Sequence, residues 1–510
     1  MTHIILFILL LNNTSFSSDL SHVTDSLLTI DTLNNHTWEN FFSENYFTKL
    51  YLVFAGPYPA SPTSSFGHIF ILFEPKNDRP IFLWQTLDFS ANIDSVGSFE
   101  FFLKGIFGGL VGEYRIVPFF EKYREYTFIE SRPLWLFPFR LSEREKVRLL
   151  YNIYKLQKNS YSYSFTNKNC ASQIDSLLVS SLDNTTVSDR AIFFPNTLIN
   201  HWLNRIDDPI YIESMQNLLE EGILEVPENI LDLNYDISKL TDSEKGLLLN
   251  ILEWKYEHEN VYLTSKQERL LKELRINLSK SKNNSYVNFN NTSKEFNLHP
   301  TTLVSFGIKH RSDNIQEFLL SYRFGIHEFY ENTTVYPAND YLAILKMEIG
   351  IRKNKIALNE VWLFNQLSLQ PISPLATLMS WRIGIGMERE NEYINSPTVT
   401  GLFTGLGLST TPFNKNINLS LLMNISPVYM QGYGLTILYG PEFITQVNIF
   451  NTIKIMNRFK YVFASNKQIQ NVFSNETNIG IELTNASNLY LQFNYYGDSY
   501  FVIKYNFYIN

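Results

Sequence analysis

The chain of 510 residues has one cysteine, Cys170, in the run Phe165-Thr166-Asn167-Lys168-Asn169-Cys170-Ala171. Upstream lies Ser64-Ser65-Phe66-Gly67-His68, followed at once by the apolar run Ile69-Phe70-Ile71-Leu72-Phe73. A thiol with an imidazole is the minimum kit for nucleophilic acyl transfer. A free thiol, with a reference pKa of about 8.5, is only a few per cent ionised at neutral pH. Two features of the sequence can change that. If Asn169 caps a helix, Cys170 falls in its first turn, where the positive end of the macrodipole favours thiolate. His68 can take the thiol proton and form an ion pair. The thiolate then attacks an ester or amide carbonyl, and backbone N–H groups at the helix start stabilise the oxyanion. The bland readings are a small hydrophobe for Cys170 and a satisfied core histidine for His68.

A third group usually orients the histidine. The next strand-like segment offers Gln85, Asp88 and Asn92. Alternation puts Gln85 on the face opposite Asp88 and Asn92, and Asn92 is preferred over Asp88 as the orienting residue, with Asp88 then contacting substrate. Ser65 beside the histidine, Glu130 and Arg132 in Ile129–Trp135, and Tyr161 and Tyr163 before the cysteine are candidates for substrate binding, with surface pairing or core packing as their ordinary roles. His201, in Asn200-His201-Trp202, is a weaker competitor for the base.

The elements that must hold these groups are legible in outline. Tyr51–Phe54, His68–Phe73 and Ile81–Trp84 read as buried strands. Lys104–Gly112 is glycine-rich but lacks the lysine and spacing of a phosphate-binding loop, and reads as a flexible or close-packed loop. Ser142 and Glu145 form a capping box for a helix carrying Val147, Leu150, Ile153 and Tyr154 on one face. A second helix opens near Asn169 with Ile174, Leu177 and Leu178 inward. Two further helices are expected around Gly246–Glu257 and Lys266–Leu274, the latter with a capping box at Ser265 and Glu268, then a linker at Ser279–Asn291.

A net charge of −8 argues against nucleic acid as the main partner. No His/Cys cluster has metal-ligand spacing, which argues against a structural zinc site, and no cofactor motif is present. The apolar run Ile4–Leu11 followed by Ser15-Phe16-Ser17-Ser18 reads as an export signal, too short to span a bilayer. It lacks the usual positive start, having only His3 there.

The chain from about residue 300 to the end alternates strictly. Leu345, Met347, Ile349 and Ile351 interleave with Lys346, Glu348, Gly350 and Arg352. Met379, Trp381, Ile383, Ile385 and Met387 interleave with Ser380, Arg382, Gly384, Gly386 and Glu388. Phe501, Ile503, Tyr505, Phe507 and Ile509 share one face of the final strand. Such segments, about 10 to 12 in all, are the signature of an outer-membrane β-barrel with a polar lumen. A soluble β-sandwich or lipocalin-like barrel also alternates, with its apolar face inward.

Several motifs recur in a known order: Ser65-Phe66-Gly67-His68, Ala91-Asn92, Lys104-Gly105-Ile106-Phe107-Gly108-Gly109, Glu130-Ser131-Arg132-Pro133-Leu134-Trp135, Tyr161-Ser162-Tyr163-Ser164-Phe165 and Asn169-Cys170-Ala171. Over residues 45 to 200 this order resembles the DUF4105 family, also called the Lnb N-terminal periplasmic domain, with Pro133 standing where that pattern has an acidic residue. The resemblance implies an α+β, permuted papain-like domain akin to NlpC/P60 peptidases and lecithin-retinol-type acyltransferases, with His68 as base and Cys170 as nucleophile. It implies N-acylation of diacylated lipoproteins from a phospholipid donor through a cysteine thioester, at a membrane. The expected organisation is a signal peptide at 1–18, the catalytic domain at 19–200, a helical connecting region at 201–295 and an antiparallel β-barrel at 296–510, in the outer membrane with the catalytic domain in the periplasm. The rivals are a cysteine peptidase or amidase acting on peptidoglycan, and a non-enzymatic barrel with a periplasmic binding module. The aromatic residues Phe99, Phe101, Phe102, Phe107, Phe119 and Phe120 lean towards lipid.

Overall fold

The computed structural model describes residues 35–509 apart from 59–63, 78, 93–99, 102–103, 106–107, 158, 184–192, 220–236, 259–263, 280–295, 313–314, 332–333, 354, 374–378, 390–396, 413–415, 450–451, 485 and 497. The expected signal peptide at 1–18, Phe99, Phe102, Phe107 and most of the expected linker fall outside the described residues. The chain forms two compact units, one of Met1–Tyr58 with Phe66–Lys294, the other of Pro59–Ser65 with Glu295–Asn510.

The first unit is built on a seven-stranded antiparallel sheet. Its strands are β1 (Phe47–Ala55), β2 (His68–Pro75), β3 (Gln85–Ala91), β4 (Leu110–Pro118), β5 (Leu134–Phe139), β6 (Ser160–Tyr163) and β7 (Ile210–Ile212), in the order β6-β4-β3-β2-β1-β5-β7. The central strands are continuous apolar runs because both faces are covered: Leu52, Val53, Phe54, Ile69, Phe70, Ile71 and Leu72 are all fully buried. The run Ile81–Leu83 is a 3-10 turn rather than the expected strand. Pro80 starts it, and its carbonyl accepts from Leu83 N at 2.9 Å. A half-exposed Leu83 has no sheet face to fill, and pairing begins only at Gln85.

The helices of this unit are α1 (Asn35–Asn45), the short α2 (Phe119–Tyr123), α3 (Glu143–Leu156), α4 (Cys170–Ser181), α5 (Pro195–His201), α6 (Asp242–His258) and α7 (Ser265–Ser279). α3 opens on the Ser142–Glu145 capping box. Its buried face is Leu149, Leu150, Ile153 and Leu156, and Val147 points to solvent. In α4, Ile174, Leu177 and Leu178 are buried as their spacing requires. The capping box of the later helices is at Thr241 and Glu244, on α6. Ser265 is already helical in α7, with Glu268 N bonded to Thr264 O, so it does not cap.

The second unit is a closed antiparallel barrel of 12 strands, β8 to β19, in which the last strand, β19 (Asp498–Ile509), pairs with the first, β8 (Thr302–Arg311). Closure removes every free edge. The alternation resolves as expected for lipid outside and polar groups inside. Leu435 (81% exposed), Ile356, Phe318, Leu406 and Leu421 face outward. Lys346, Glu348, Arg382, Arg458 and Lys504 line an internal cavity of about 290 Å³. A β-sandwich, or a barrel with an apolar interior, is overturned by this inversion. No helix among the described residues is long and apolar enough to cross a membrane, and the strands provide that span.

Candidate functional site

Cys170 is the first residue of α4, and its position is fixed by the turn before it. Asn169 caps the helix: its side-chain oxygen accepts from Ser172 N at 3.1 Å, and Ser172 Oγ accepts from Asn169 N at 3.0 Å. The Asn169 amide also donates to the carbonyls of Phe165 (2.9 Å) and Phe193 (2.5 Å), both outside the helix. The glycine-rich segment clamps the same turn, since Phe165 N donates to Gly105 O at 2.7 Å. A Cβ on Gly105 would sit 2.1 Å from the Phe165 ring, so only glycine fits there. That stretch is close-packed at Gly105.

His68 opens β2, and its ring meets two partners. Nε2 lies 2.6 Å from Asp88 Oδ1. Cys170 is the other charged neighbour of the imidazole, close enough to raise its pKa. Asp88 is fully buried on β3, and its second oxygen is 2.6 Å from Lys122 Nζ. Lys122, on α2, also meets Glu125 at 2.8 Å. The result is a chain of charges, Glu125–Lys122–Asp88–His68–Cys170.

The electrostatics follow from burial and these contacts. Burial pulls the His68 imidazole down, but the nearby Cys170 sulfur and the Asp88 carboxylate bonded to the ring push it up to about 10. Burial pushes the Asp88 carboxyl up, yet Lys122 and His68 outweigh it and hold it well below the usual carboxylate range. Lys122 is raised despite its own burial, because Asp88 and Glu125 face it. Burial, then the neighbouring Cys170 and Asp88, push the Tyr163 hydroxyl well above its ordinary value.

Not every expected site residue joins this group. Asn92, the preferred orienting residue, follows the end of β3, where its backbone N–H donates to Val111 O at 2.8 Å; the side chain on the His68 ring is that of Asp88. The β2–β3 register explains the difference. Ile71 stands opposite Leu87, so Asp88 is level with Phe70, two residues from His68 on one face, and Asn92 runs past the start of β2. Tyr163 is buried near Cys170 and stacks on Phe89, whereas Tyr161 packs edge-on against Tyr114 and donates to Leu156 O. Arg132 is buried, and its guanidinium is bonded to the carbonyls of Ala55 and Gly56 and paired with Glu130. It ties the end of β1 to the start of β5. Ser65 belongs to the second unit, where Gln366 donates to its hydroxyl. His201 is paired with Asp175 at 2.8 Å and stacked on Trp202.

Three residues at the site escape sequence reasoning. Two are Glu125 and Lys122. The other is Tyr126, in the wide π-helical turn Arg124–Ile129, whose ring stacks on His68 at 5.6 Å between centroids. The Arg132 guanidinium lies over the same ring at 4.7 Å and Lys122 Nζ at 5.5 Å. A ring face that attracts cations suits an imidazolium as well as it suits these two. Of the aromatic residues expected to favour lipid, Phe101 packs on Phe165, Phe119 is core beside Phe82 and Tyr123, and Phe120 is exposed.

Residues 38–202 match the Lnb N-terminal periplasmic domain, and residues 297–501 match a domain of unknown function, DUF7840. No curated protein matches the chain. Among solved structures, the barrel region is similar to the KdgM porin (9% identity, 41% of this chain and 99% of that one, TM-score 0.27) and the NanC porin (11%, 40% and 100%, 0.28). It is also similar to the outer membrane protein Omp33 of Acinetobacter baumannii (11%, 42% and 100%, 0.24). The barrel's assignment to the outer membrane rests on its own closure, apolar exterior and charged lumen, together with the periplasmic family of the first unit. The chain is an outer-membrane protein whose residues 38–202 match the Lnb N-terminal periplasmic domain family.

Proposed function

We propose that this protein is a thiol acyltransferase that moves a fatty-acyl chain from a phospholipid to the α-amine of a diacylated lipoprotein, on a permuted papain-like scaffold. The observation that carries the reading is the single cysteine at a capped helix start, beside a histidine that a buried aspartate holds. A structural thiol needs none of these partners.

His68 holds the proton of the Cys170 thiol, and the thiolate attacks the ester carbonyl of the phospholipid. The N–H groups of the first helical turn have no intrahelical partner. Asn169 takes that of Ser172, and the earlier ones are placed to stabilise the oxyanion. Collapse breaks the acyl C–O bond; His68 gives its proton to the leaving alkoxide, and lyso-phospholipid departs. The lipoprotein amine then attacks the thioester, the C–S bond breaks, and the amine proton returns to His68 as the amide forms. Asp88 keeps the imidazolium oriented throughout, and Lys122 keeps Asp88 ionised. An outer-membrane barrel keeps the reacting unit at a membrane that supplies both lipids.

The test is intact-mass analysis of wild type and Cys170→Ala after incubation with phospholipid micelles. A fatty-acyl increment on wild type, released by neutral hydroxylamine and absent from Cys170→Ala, is the expected result. Absence of both adduct and lyso-phospholipid overturns the reading and moves peptidoglycan peptides to the front.

A further inference from the structure

The barrel contains a second buried cluster that acyl transfer does not use. His299 lies just before β8, His327 ends β9 (Gln316–His327), and Glu331 follows in the next loop. All three are almost fully buried, at 3%, 1% and 2% exposure. His299 Nε2 is 3.3 Å from His327 Nδ1 and 3.0 Å from Glu331 Oε2, and His327 Nδ1 is 3.5 Å from that same oxygen. Three donor atoms therefore form a nearly equilateral triangle. Zinc bonds of about 2.0–2.1 Å in tetrahedral geometry separate the ligand atoms by about 3.3 Å.

Proton accounting points the same way. His299 Nδ1 lies 2.8 Å from the Pro300 carbonyl, which can only accept, so Nδ1 carries the proton. In the neutral ring Nε2 then offers a lone pair, and it faces the lone pairs of a carboxylate at 3.0 Å. His327 Nδ1 has at most one proton to share between them. A cation in the triangle, or a second proton on His299, removes the conflict.

The surroundings are those of a metal centre. Glu331 Oε1 is held by Arg323 Nη1 at 2.7 Å, and Oε2 accepts from Glu328 N at 2.7 Å, which fixes the carboxylate. Tyr508 stacks on His299 at 4.7 Å and Tyr336 on His327 at 5.2 Å, which fixes both rings. A carbonyl on the distal nitrogen and a held carboxylate are the outer partners that orient metal ligands. We propose that His299, His327 and Glu331 bind one divalent transition-metal ion of the Zn²⁺ class, with water in the fourth position. The ion staples the start of β8, the end of β9 and the following loop at the seam where β19 closes on β8. Two whole strands separate His299 from His327 and Glu331, which is why their linear spacing suggests no zinc site.

The experiment uses the full-length protein in detergent, stripped with chelator and then exposed to Zn²⁺ alone. After gel filtration, elemental analysis is expected to find one equivalent of zinc per chain. His299→Gln and Glu331→Gln are expected to weaken binding by more than the ~10–100-fold that loss of an outer partner costs. Cys170→Ser is expected to keep the full equivalent, which excludes the thiol as the ligand. Heat-modified migration on electrophoresis shows whether each variant still closes its barrel. If none does, Co²⁺ loaded into wild type decides, because a tetrahedral nitrogen–oxygen site gives intense visible bands and an adventitious octahedral one does not. Wild type that retains no zinc, or a folded His299→Gln that retains as much, overturns the proposal in favour of a protonated His299 paired with Glu331.

Discussion

Both units bury charges, and they do so to different ends. In the barrel the charges close on one another across neighbouring strands: Lys346 with Glu328 and Glu360, Lys504 with Glu348, Arg458 with Glu442. Each group has an opposite charge within its own cluster, which offsets the cost of leaving water. In the sheet domain the charges run in file, Glu125–Lys122–Asp88–His68, and the file ends on the Cys170 thiol. A closed cluster has no group left to react. A file passes its polarity to its last member, and here that member is a thiol at a helix start. The difference separates a lumen that is filled from a site that is poised.

Removing the middle of the file has the largest expected effect on thioester formation. Asp88→Ala deprives His68 of its orienting partner and leaves Lys122 with Glu125 alone, and the rate is expected to fall roughly 100- to 10,000-fold, the range that general-base and triad losses span. Asp88→Asn is the sharper probe. It keeps a hydrogen-bonding group and removes the charge that raises His68, so the alkaline limb of the rate profile is expected to move down from about pH 10. The same linkage predicts stability. A histidine raised from 6.5 to about 10 contributes stability fully below its unfolded value and loses it as pH climbs through 10. The depressed Asp88 contributes above its unfolded value of about 3.9 and loses it on acidification. A rate profile that does not move in Asp88→Asn would break the file as a functional unit.

The next effect comes from the far end. Lys122→Met leaves the fully buried Asp88 with His68 as its only cation among the groups that lower it. The expected fall in thioester formation is about 10- to 100-fold, with acid sensitivity as the signature: Asp88 loses the larger of its two stabilising charges, and activity declines at a higher pH than in wild type. Breaking half of a buried pair costs about 3–5 kcal/mol, so a melting curve alone cannot tell position from chemistry. The shifted acid limb does. Lys122→Arg, which restores charge but not the compact ammonium, is expected to recover part of the rate.

The sequence carried the thiol end of this file and hid the far end. Cys170 and His68 stood out because one is unique and the other opens an apolar strand. The capping box at Asn169 was readable because it is local. Asp88 and Asn92 could not be ordered by alternation, which puts both on one face. Only the register of β2 on β3 decides between them, and register is a property of pairing. Lys122 and Tyr126 gave no signal at all: they reach the site from a short helix and a π turn beyond β4, by a path no periodicity describes. In the barrel the reverse held. Faces and closure followed from strict alternation, yet the His299–His327–Glu331 triangle was invisible, because strands bring together what the chain separates.

The smallest expected effect on acyl transfer tests the other side of the comparison. Glu442 is fully buried in the lumen, bonded to Arg458 and to Asn424, with Lys460 further off. Glu442→Gln leaves those cations without their counter-charge. The barrel is expected to lose about 3–5 kcal/mol, the cost of one uncompensated partner, read as a lower temperature for the heat-modified shift on electrophoresis. The thioester yield with micellar phospholipid at a temperature where the variant barrel is intact is expected to match wild type, because no member of the sheet-domain file is touched. A loss of thioester with an intact barrel would mean that the lumen charges act on the reacting pair, and the contrast between a filled cluster and a poised file would then fail as a description of this molecule.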